Sequence, residues 1–233
     1  MPIIPDFDAA TFAPRAPINN PYFPLTRGTV STYGGSAVID GELTNESNDV
    51  FVSRLYTTIM GVQVQVVRDT AYDNGVLVED TLDFYAQDTD GNVWYFGEIV
   101  NNFIYDEDGN FVETTHGGSW QAGVDGALPG WIMAAALSEG LSFFSEVAPG
   151  VAVDEVLIAE LGVDITTGFG SFSNVIRTFD TTALDLNARE FKYYAPGIGA
   201  IRFDEGLDEN GIPSLIVELR DIIDSGSSVV AFG

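Results

Sequence analysis

Residues 82–98 carry the sequence LDFYAQDTDGNVWYFGE, in which two runs rich in aromatic residues flank an Asp-Gly turn. Aromatic and β-branched residues favour strands, and Asp-Gly is a frequent hairpin turn. Because side chains alternate along a strand, Trp94, Phe96 and Glu98 are predicted to share one face. The stretch therefore predicts a β-hairpin that places a carboxylate beside two large aromatic rings.

The turn leaves two registers open for the first strand of this hairpin. If Asp88 opposes Asn92, the side chains on the interior face are Leu82, Phe84 and Ala86. A two-residue turn replaces that set by the alternate one, Asp83, Tyr85 and Gln87. Only the second register brings Asp83 opposite Glu98, whereas Glu98 stays with Trp94 and Phe96 in both.

Glu98 is the leading candidate for chemistry. A carboxylic acid inside an aromatic cavity is desolvated, which raises its pKa and suits it to general acid or base catalysis. Asp83 and His116, which lies in a Gly-rich loop, are the candidate partners. The alternatives are a Glu98 that reaches water or pairs with an arginine, and a solvated loop histidine. The aromatic residues expected to contact a ligand are Phe84, Tyr85, Trp94, Phe96 and Trp120.

Composition excludes several classes of function. The 233 residues include 35 acidic and 9 basic residues, giving a formal net charge of -26, so binding to a nucleic acid or to an anionic membrane is not expected. No apolar stretch approaches the length of about 20 residues that a membrane-spanning helix needs. Cysteine is absent and there is a single histidine, which excludes disulfides, thiolate catalysis and multi-histidine metal sites.

The chain divides into a Pro-rich N-terminal arm, residues 1–27, and one β-rich domain, residues 28–233. Strands are predicted at 51–60 and 62–72, and again at 142–147, 153–161, 172–179, 191–194, 199–203 and 214–219. Residues 131–138 and 181–189 are the two short helix candidates. The expected fold is all-β, a single antiparallel β-barrel or strongly curved sheet.

Three segments resemble motifs shared by a group of bacterial proteins without an established activity, many of them exported or lipid-anchored. These segments are NPYFPL at 20–25, DFYAQDTDGNVWYFGE at 83–98 and YAPGIG at 194–199. The resemblance spans most of the chain. It implies a calycin-like or half-barrel architecture and an extracellular or periplasmic setting. The first residues lack the pattern of a secretory signal peptide. The alternatives are therefore export by another route, a leader that has been removed, and a cytoplasmic location.

Two turns carry a partial calcium-loop pattern. Each presents oxygen-bearing side chains at loop positions one, three and five, namely Asp88, Asp90 and Asn92 in one and Asp106, Asp108 and Asn110 in the other. The twelfth position holds Ile99 or Gly117 instead of the bidentate glutamate of an EF-hand. A plain hairpin turn is the alternative interpretation, and calcium is the one cofactor that the sequence suggests.

The sequence thus favours a binding protein that takes a small apolar or amphipathic ligand in an aromatic-lined barrel cavity. The alternatives are an enzyme of lyase, isomerase or hydrolase type that uses Glu98, and an acidic calcium-binding extracellular structural protein. The oligomeric state is left open. The C-terminal residues 225–233 are predicted either to carry an export signal or to contain a last edge strand at 227–232.

Overall fold

The computed structural model describes residues 1–39 and 41–224, and its architecture is almost entirely β. The first strands are β1 (Ile18–Asn20), β2 (Phe23–Leu25), β3 (Thr29–Ile39), β4 (Glu42–Ile59), β5 (Val62–Asp73), β6 (Val76–Gln87), β7 (Val93–Tyr105), β8 (Phe111–Thr115) and β9 (Trp120–Gln121). The later strands are β10 (Leu128–Met133), β11 (Ser142–Phe144), β12 (Glu146–Val147), β13 (Asp154–Thr166), β14 (Ser171–Thr182), β15 (Arg189–Ala195), β16 (Gly199–Glu205) and β17 (Leu215–Asp224).

One antiparallel sheet curls into a nearly closed barrel. Among the described residues, thirteen strands follow one another in the hydrogen-bonded order β11-β13-β14-β15-β16-β17-β3-β4-β5-β6-β7-β10-β12. The two ends of this order meet, because β11 and β12 are consecutive in the chain and only Ser145 separates them. β11 pairs with β13 and β12 pairs with β10, so one short segment connects both edges of the sheet. Such closure leaves few unpaired edge groups.

The predicted all-β barrel is confirmed, and the predicted strands within residues 51–219 overlap observed strands, except that the one predicted at 142–147 is divided into β11 and β12. The two helix candidates are wrong. Residues 131–133 belong to β10, which pairs with β7, and 181–182 end β14. Pairing with β7 holds residues 131–133 extended, and the alanine-rich residues 134–138 that follow form bends without regular secondary structure. The predicted strand at 227–232 lies outside the described residues.

The N-terminal arm folds back over the barrel. Ile3 pairs with β11, and the only helix among the described residues is a single 3-10 turn, Phe7–Ala9. The β1–β2 hairpin, called the plug below, crosses one end of the barrel. Gly197 on one side donates its N–H to Pro21 O at 2.7 Å, and Gln87 on the other accepts from the N–H of Asn20 at 2.9 Å.

A β-bulge at Gly97 decides which side chains of β7 face the interior. Near the turn, Tyr85 pairs with Tyr95, but beyond the bulge Asp83 pairs with Glu98. One extra residue on β7 therefore lies between the two pairs. Gly97 has φ +125° and lies against the backbone of β9, where Trp120 pairs with Glu98. Tyr95 and Glu98 consequently share one face, although their spacing is odd.

Replacing Gly97 tests this bulge. In Gly97→Ala the new Cβ clashes with the carbonyl oxygen of Trp120 and lies 2.8 Å from Gln121 Cα, in a backbone conformation that disfavours L-residues. We expect a loss of about 2–4 kcal/mol in the free energy of unfolding, measured by denaturant titration. Gly109→Ala is the matched control, since it also has positive φ but open space around it, and should cost about 1 kcal/mol. Equal losses would refute the close approach as the cause.

Candidate functional site

A cavity of about 300 Å³ lies inside the barrel beneath the plug. Its wall is mostly apolar and comes from β2–β6, β10 and β15–β17. It also carries two acidic side chains, Asp69 and Asp83, and one basic side chain, Lys192. We call it the aromatic cavity, and its principal apolar residues are Phe23, Tyr33, Val50, Val52, Val67, Tyr85, Ile132, Tyr194 and Phe203.

Asp83 is the best-defined polar group of this cavity. It is 9% exposed and accepts a hydrogen bond of 2.6 Å from Tyr95 Oη, while the Tyr95 ring stacks on Tyr85 with centroids 4.8 Å apart. Burial raises the pKa of Asp83 to about 7, against the lowering effect of the Tyr95 hydrogen bond. A carboxyl group that is half protonated near neutrality can donate or accept a proton.

Glu98 lies directly across the strand pair from Asp83. Burial raises the pKa of Glu98 to about 9, and the charges of Glu146 and Asp83 add to the effect. Because like charges at close range disfavour joint ionisation, Glu98 is the member that keeps its proton at neutral pH. At neutral pH, Asp83 is therefore the ionisable member of the pair and lines the cavity, and Glu98 lies beside it in its protonated form.

A third carboxyl group completes this cluster. Trp120 donates its indole N–H to Glu146 Oε2 at 2.8 Å, and its ring meets that of Tyr95 edge-on with centroids 5.5 Å apart. Burial, followed by the charge of Asp154, raises the pKa of Glu146 to about 8. β7 brings the cluster together, because it pairs with β6, β9 and β10.

Lys192, the chain's single lysine, lies inside the barrel. Its Nζ is 2.9 Å from Glu190 Oε1 and 3.1 Å from Asp180 Oδ2. Burial opposes the charge of Lys192, but Glu190 and Asp180 outweigh it and hold the Lys192 pKa well above its usual value. Sequence analysis missed this residue. The available signal was a lone lysine between aromatic residues in a predicted strand, in the sequence FKYY at 191–194.

The structure places the predicted ligand-contacting aromatics on two different faces. Tyr85 lines the cavity, and Trp120 packs on Tyr95 within the interior cluster. The prediction that Trp94 and Phe96 share a face with Glu98 is wrong, because the Gly97 bulge reverses the alternation. The residues on the opposite face, none of which lines the cavity, are Phe84, Trp94 and Phe96.

The N-terminal arm covers this opposite face. Phe7 and Phe12 each lie within 6 Å of the Trp94 and Phe96 rings, between centroids, mostly edge-on. Trp94 is 1% exposed and Phe96 is fully buried. Both therefore serve to attach the arm to the barrel.

His116 lies away from the carboxyl cluster. Its side chain is on an exposed loop, with Nδ1 3.0 Å from Val100 O. It does not line the aromatic cavity. The grouping of His116 with Asp83 and Glu98 is therefore not what the structure shows.

The two Asp-rich turns are held by their own hydrogen bonds. Asp88 Oδ1 accepts the backbone N–H groups of Asp90 and Asn92, and Oδ2 accepts the side-chain N–H groups of Asn92 and Trp94. Asp106 accepts the corresponding N–H groups of Asp108 and Asn110. A cation at either turn would have to displace these donors. Within residues 1–39 and 41–224, no three His, Asp or Glu side chains form a group suited to a metal ion, and calcium binding stays a prediction.

The interior carboxyl groups predict an unusual dependence of stability on pH. The groups that hold protons more tightly when folded include Asp69 (pKa about 6), Asp83 and Glu205 (about 7), Glu146 (about 8) and Glu98 (about 9). Between about pH 4.5 and 9 the folded state therefore binds more protons than the unfolded chain, so the free energy of unfolding falls as pH rises. We expect the Tm to be highest near about pH 5 and to decrease towards pH 9.

A substitution at Glu98 tests whether the interior carboxyl groups cause this decrease in the free energy of unfolding with rising pH. Glu98→Gln mimics the protonated acid and should raise the free energy of unfolding at about pH 9 by on the order of 1 kcal/mol, with little effect at about pH 5. Glu107→Gln, on an exposed turn, is the control with the same change of charge. A Tm that is flat or rises over this range would contradict the assignment.

No family model and no curated protein matches this chain. Solved structures that resemble it include a "putative exported protein with YmcC-like fold" from Bacteroides fragilis, 15% identical with a TM-score of 0.44 over 92% of this chain and 100% of that one. Another is a "putative lipoprotein" from Parabacteroides distasonis, 15% identical with a TM-score of 0.38 over 92% and 99% of the two chains. Both likenesses are distant, and neither assigns a function to this chain. Among the described residues, no helix has the length and hydropathy of a membrane-spanning segment.

Proposed function

We propose that this chain is a non-enzymatic binding protein that takes a small amphipathic ligand into the aromatic cavity. The observation that carries the proposal is the cavity itself, about 300 Å³ inside a nearly closed barrel. A barrel can hold one small ligand where its side chains leave room for it, and about 300 Å³ is well above the roughly 30 Å³ that one water molecule occupies. It lies at the lower end of the range for small-molecule pockets.

The apolar part of the lining suits a hydrocarbon or ring system. Val52 and Val67 are almost fully buried, and Tyr85 and Tyr194 contribute ring faces. Transfer of apolar ligand surface from water to such a wall is favourable by about 25 cal/mol per Å². Apolar contacts thus supply most of the affinity, without a strict demand on ligand shape.

The polar groups lie on two walls and would orient the ligand. Asp69 and Asp83 approach from neighbouring strands, β5 and β6, while Lys192 comes from β15. Asn48 Nδ2 donates to both carboxylate oxygens of Asp69, at 3.3 and 3.4 Å. A ligand with one polar end can exchange hydrogen bonds with these groups while its apolar end stays beneath the plug.

The plug sets the size of the cavity. Phe23 inserts from β2, and its ring centroid is 5.4 Å from that of Tyr85 and 6.4 Å from that of Tyr194. Ile18 and Asn20 anchor the plug, because both side chains are buried, whereas Phe23 is half-buried. Movement of Phe23 and the β2 side of the plug would therefore be the route of entry.

We further propose an extracellular or periplasmic location, with the cytoplasm as the alternative. The formal net charge of -26 supports it, because such a charge is best tolerated where counter-ions screen self-repulsion. Fractionation of the native host, with detection by antibody, would find the protein outside the cytoplasm. Recovery in the cytosolic fraction would disprove it.

The binding proposal is tested with the uncharged fluorophore N-phenyl-1-naphthylamine. Val67→Phe projects a larger ring into the cavity from a residue that is 2% exposed, and should weaken binding about tenfold, corresponding to about 1.4 kcal/mol. Leu43→Phe is the control, because Leu43 is exposed on β4 away from the cavity. Fluorescence titration measures both. Equal affinities for the two variants and the unaltered protein would exclude the cavity as the binding site.

The Asp83 and Glu98 pair favours a second candidate, an enzyme that performs proton transfer in the same cavity. Asp83 lines the cavity and would be the general base or acid, whereas Glu98 acts on it from across the strand pair. Tyr95, through its 2.6 Å hydrogen bond, fixes the orientation of the Asp83 carboxyl group. These roles differ from the sequence-based hypothesis, in which Glu98 itself meets the ligand.

The two candidates are separated by the chemical fate of a bound molecule. A ligand recovered from the protein after purification from cell extract is incubated with fresh protein and followed by mass spectrometry. A pure binding protein returns it unchanged. If instead its mass or structure changes with time, and Asp83→Asn abolishes this change but keeps binding, the enzymatic alternative is correct.

A further inference from the structure

Three polar groups that line the aromatic cavity have unused hydrogen-bonding capacity. Tyr85 and Tyr194 are 9% and 4% exposed, and within the described part of the chain neither hydroxyl group makes a hydrogen bond. Asp83 accepts from Tyr95 Oη through Oδ1, whereas no described residue donates to its Oδ2. Native proteins satisfy most buried polar atoms. Unused groups of this kind beside a cavity therefore point to an occupant that completes their hydrogen bonds.

Asp83 and Tyr85 form one polar subsite. They lie two residues apart on β6, so their side chains share the interior face of the strand. The ring of Tyr85 stacks on that of Tyr95, whose hydroxyl group reaches Asp83. Burial, followed by the charge of Asp83, raises the pKa of Tyr85 well above its ordinary value, so its hydroxyl group keeps its proton. The subsite thus offers an acceptor, Asp83 Oδ2, and a donor, the hydroxyl group of Tyr85.

Tyr194 presents a similar hydroxyl group from another strand, β15. Phe23 of the plug packs on both tyrosine rings, with centroid distances of 5.4 Å to Tyr85 and 6.4 Å to Tyr194. Burial raises the pKa of Tyr194 as well, so this hydroxyl group also stays protonated. A ring system beneath Phe23 can therefore contact hydroxyl donors from two strands.

The available donors and acceptors discriminate between classes of ligand. A carboxylate has acceptors only, so it cannot donate to Asp83, and the charge of Asp83 repels it. An ammonium group has donors only, and it leaves the hydroxyl protons of Tyr85 and Tyr194 without an acceptor. A hydroxyl group contains one donor and two acceptor lone pairs. A single hydroxyl group can therefore satisfy both members of the polar subsite.

Lys192 does not reverse this preference. It is the one basic side chain among the described residues that line the cavity. Its ammonium group is 2.9 Å from Glu190 Oε1 and 3.1 Å from Asp180 Oδ2. An anionic ligand would have to compete with these two carboxylates for the charge of Lys192, and a cationic ligand would be repelled by it. A neutral polar group avoids both costs.

We propose that the ligand of the aromatic cavity is a neutral ring compound with a hydroxyl group, a phenol or a cyclic alcohol, which donates to Asp83 and accepts from Tyr85. This inference rests on the proposed binding function and names the class of ligand. The apolar wall holds the ring system, and the polar subsite selects the hydroxyl group. A site built to bind a hydroxyl group rejects an analogue without one, because its own buried polar groups are then left unpaired.

The experiment compares three fluorescent probes that share one ring system. These are 2-naphthol, 2-methylnaphthalene, which has a similar shape but neither donor nor acceptor, and the anion 2-naphthoate. Binding to the full chain is followed by the fluorescence anisotropy of each probe near neutral pH, in about 0.5 M sodium chloride to screen the net charge of the protein. We expect 2-naphthol to bind about fivefold or more tightly than either of the others. Equal binding of 2-methylnaphthalene, or tighter binding of 2-naphthoate, would overturn the proposal.

A conservative variant tests the subsite itself. Tyr85→Phe keeps the ring and removes the hydroxyl group, so it should weaken 2-naphthol about fivefold and leave 2-methylnaphthalene almost unchanged. Tyr105→Phe is the matched control, because Tyr105 donates to Leu77 O and does not line the cavity. If both variants weaken 2-naphthol equally, the effect is not local and the assignment of Tyr85 is refuted.

The same titrations separate this proposal from the binding function on which it rests. Binding of N-phenyl-1-naphthylamine that Val67→Phe weakens, together with no preference for 2-naphthol and no effect of Tyr85→Phe, would leave the cavity as a binding site and refute only the hydroxyl specificity. If none of the four probes binds, both proposals fail.

Discussion

The alternation of side chains along β7 is interrupted once, at Gly97, and the interior of the barrel depends on that interruption. Without the extra residue, Tyr95 and Glu98 would point to opposite sides of the sheet. With it, the hydroxyl of Tyr95 reaches Asp83 and the carboxyl group of Glu98 lies opposite. The same shift leaves Trp94 and Phe96 to the N-terminal arm, so one bulge both assembles the polar cluster and provides the surface on which the arm folds.

Burying so many acids works against stability, and the barrel compensates with its backbone. Antiparallel pairing runs almost continuously around the ring, and β11 and β12 join its two edges. Hydrogen bonds of this kind do not depend on which side chains face inward. The fold can therefore tolerate an interior that contains many ionisable side chains. Such a loss of stability is common where function requires strained or desolvated groups.

Much of the architecture could be predicted from local patterns, because a β-branched run such as that of β5 specifies a strand without outside help. The turn takes the first of the two predicted registers, in which Asp88 opposes Asn92, and the pairing of Asp83 with Glu98 that belonged to the second register arises only beyond the bulge. The bulge could not be predicted from the sequence, because glycine is required at position 97 by the close approach of Trp120, which comes from a distant part of the chain. Lys192 was missed for a similar reason, because its partner Asp180 lies just beyond the strand predicted at 172–179, and the pairing of β14 with β15 is not evident from the local sequence.

The single lysine of the chain sets the charge of two neighbouring pockets. The side chain of Lys192 lines both the aromatic cavity and a pocket of about 270 Å³ that also contains Glu146 and Asp180. Its ammonium group is 2.9 Å from Glu190 and 3.1 Å from Asp180, so a movement of Lys192 would leave two carboxylates without their partner. Replacing Lys192 by a neutral residue would therefore leave uncompensated acids in the lining of both pockets.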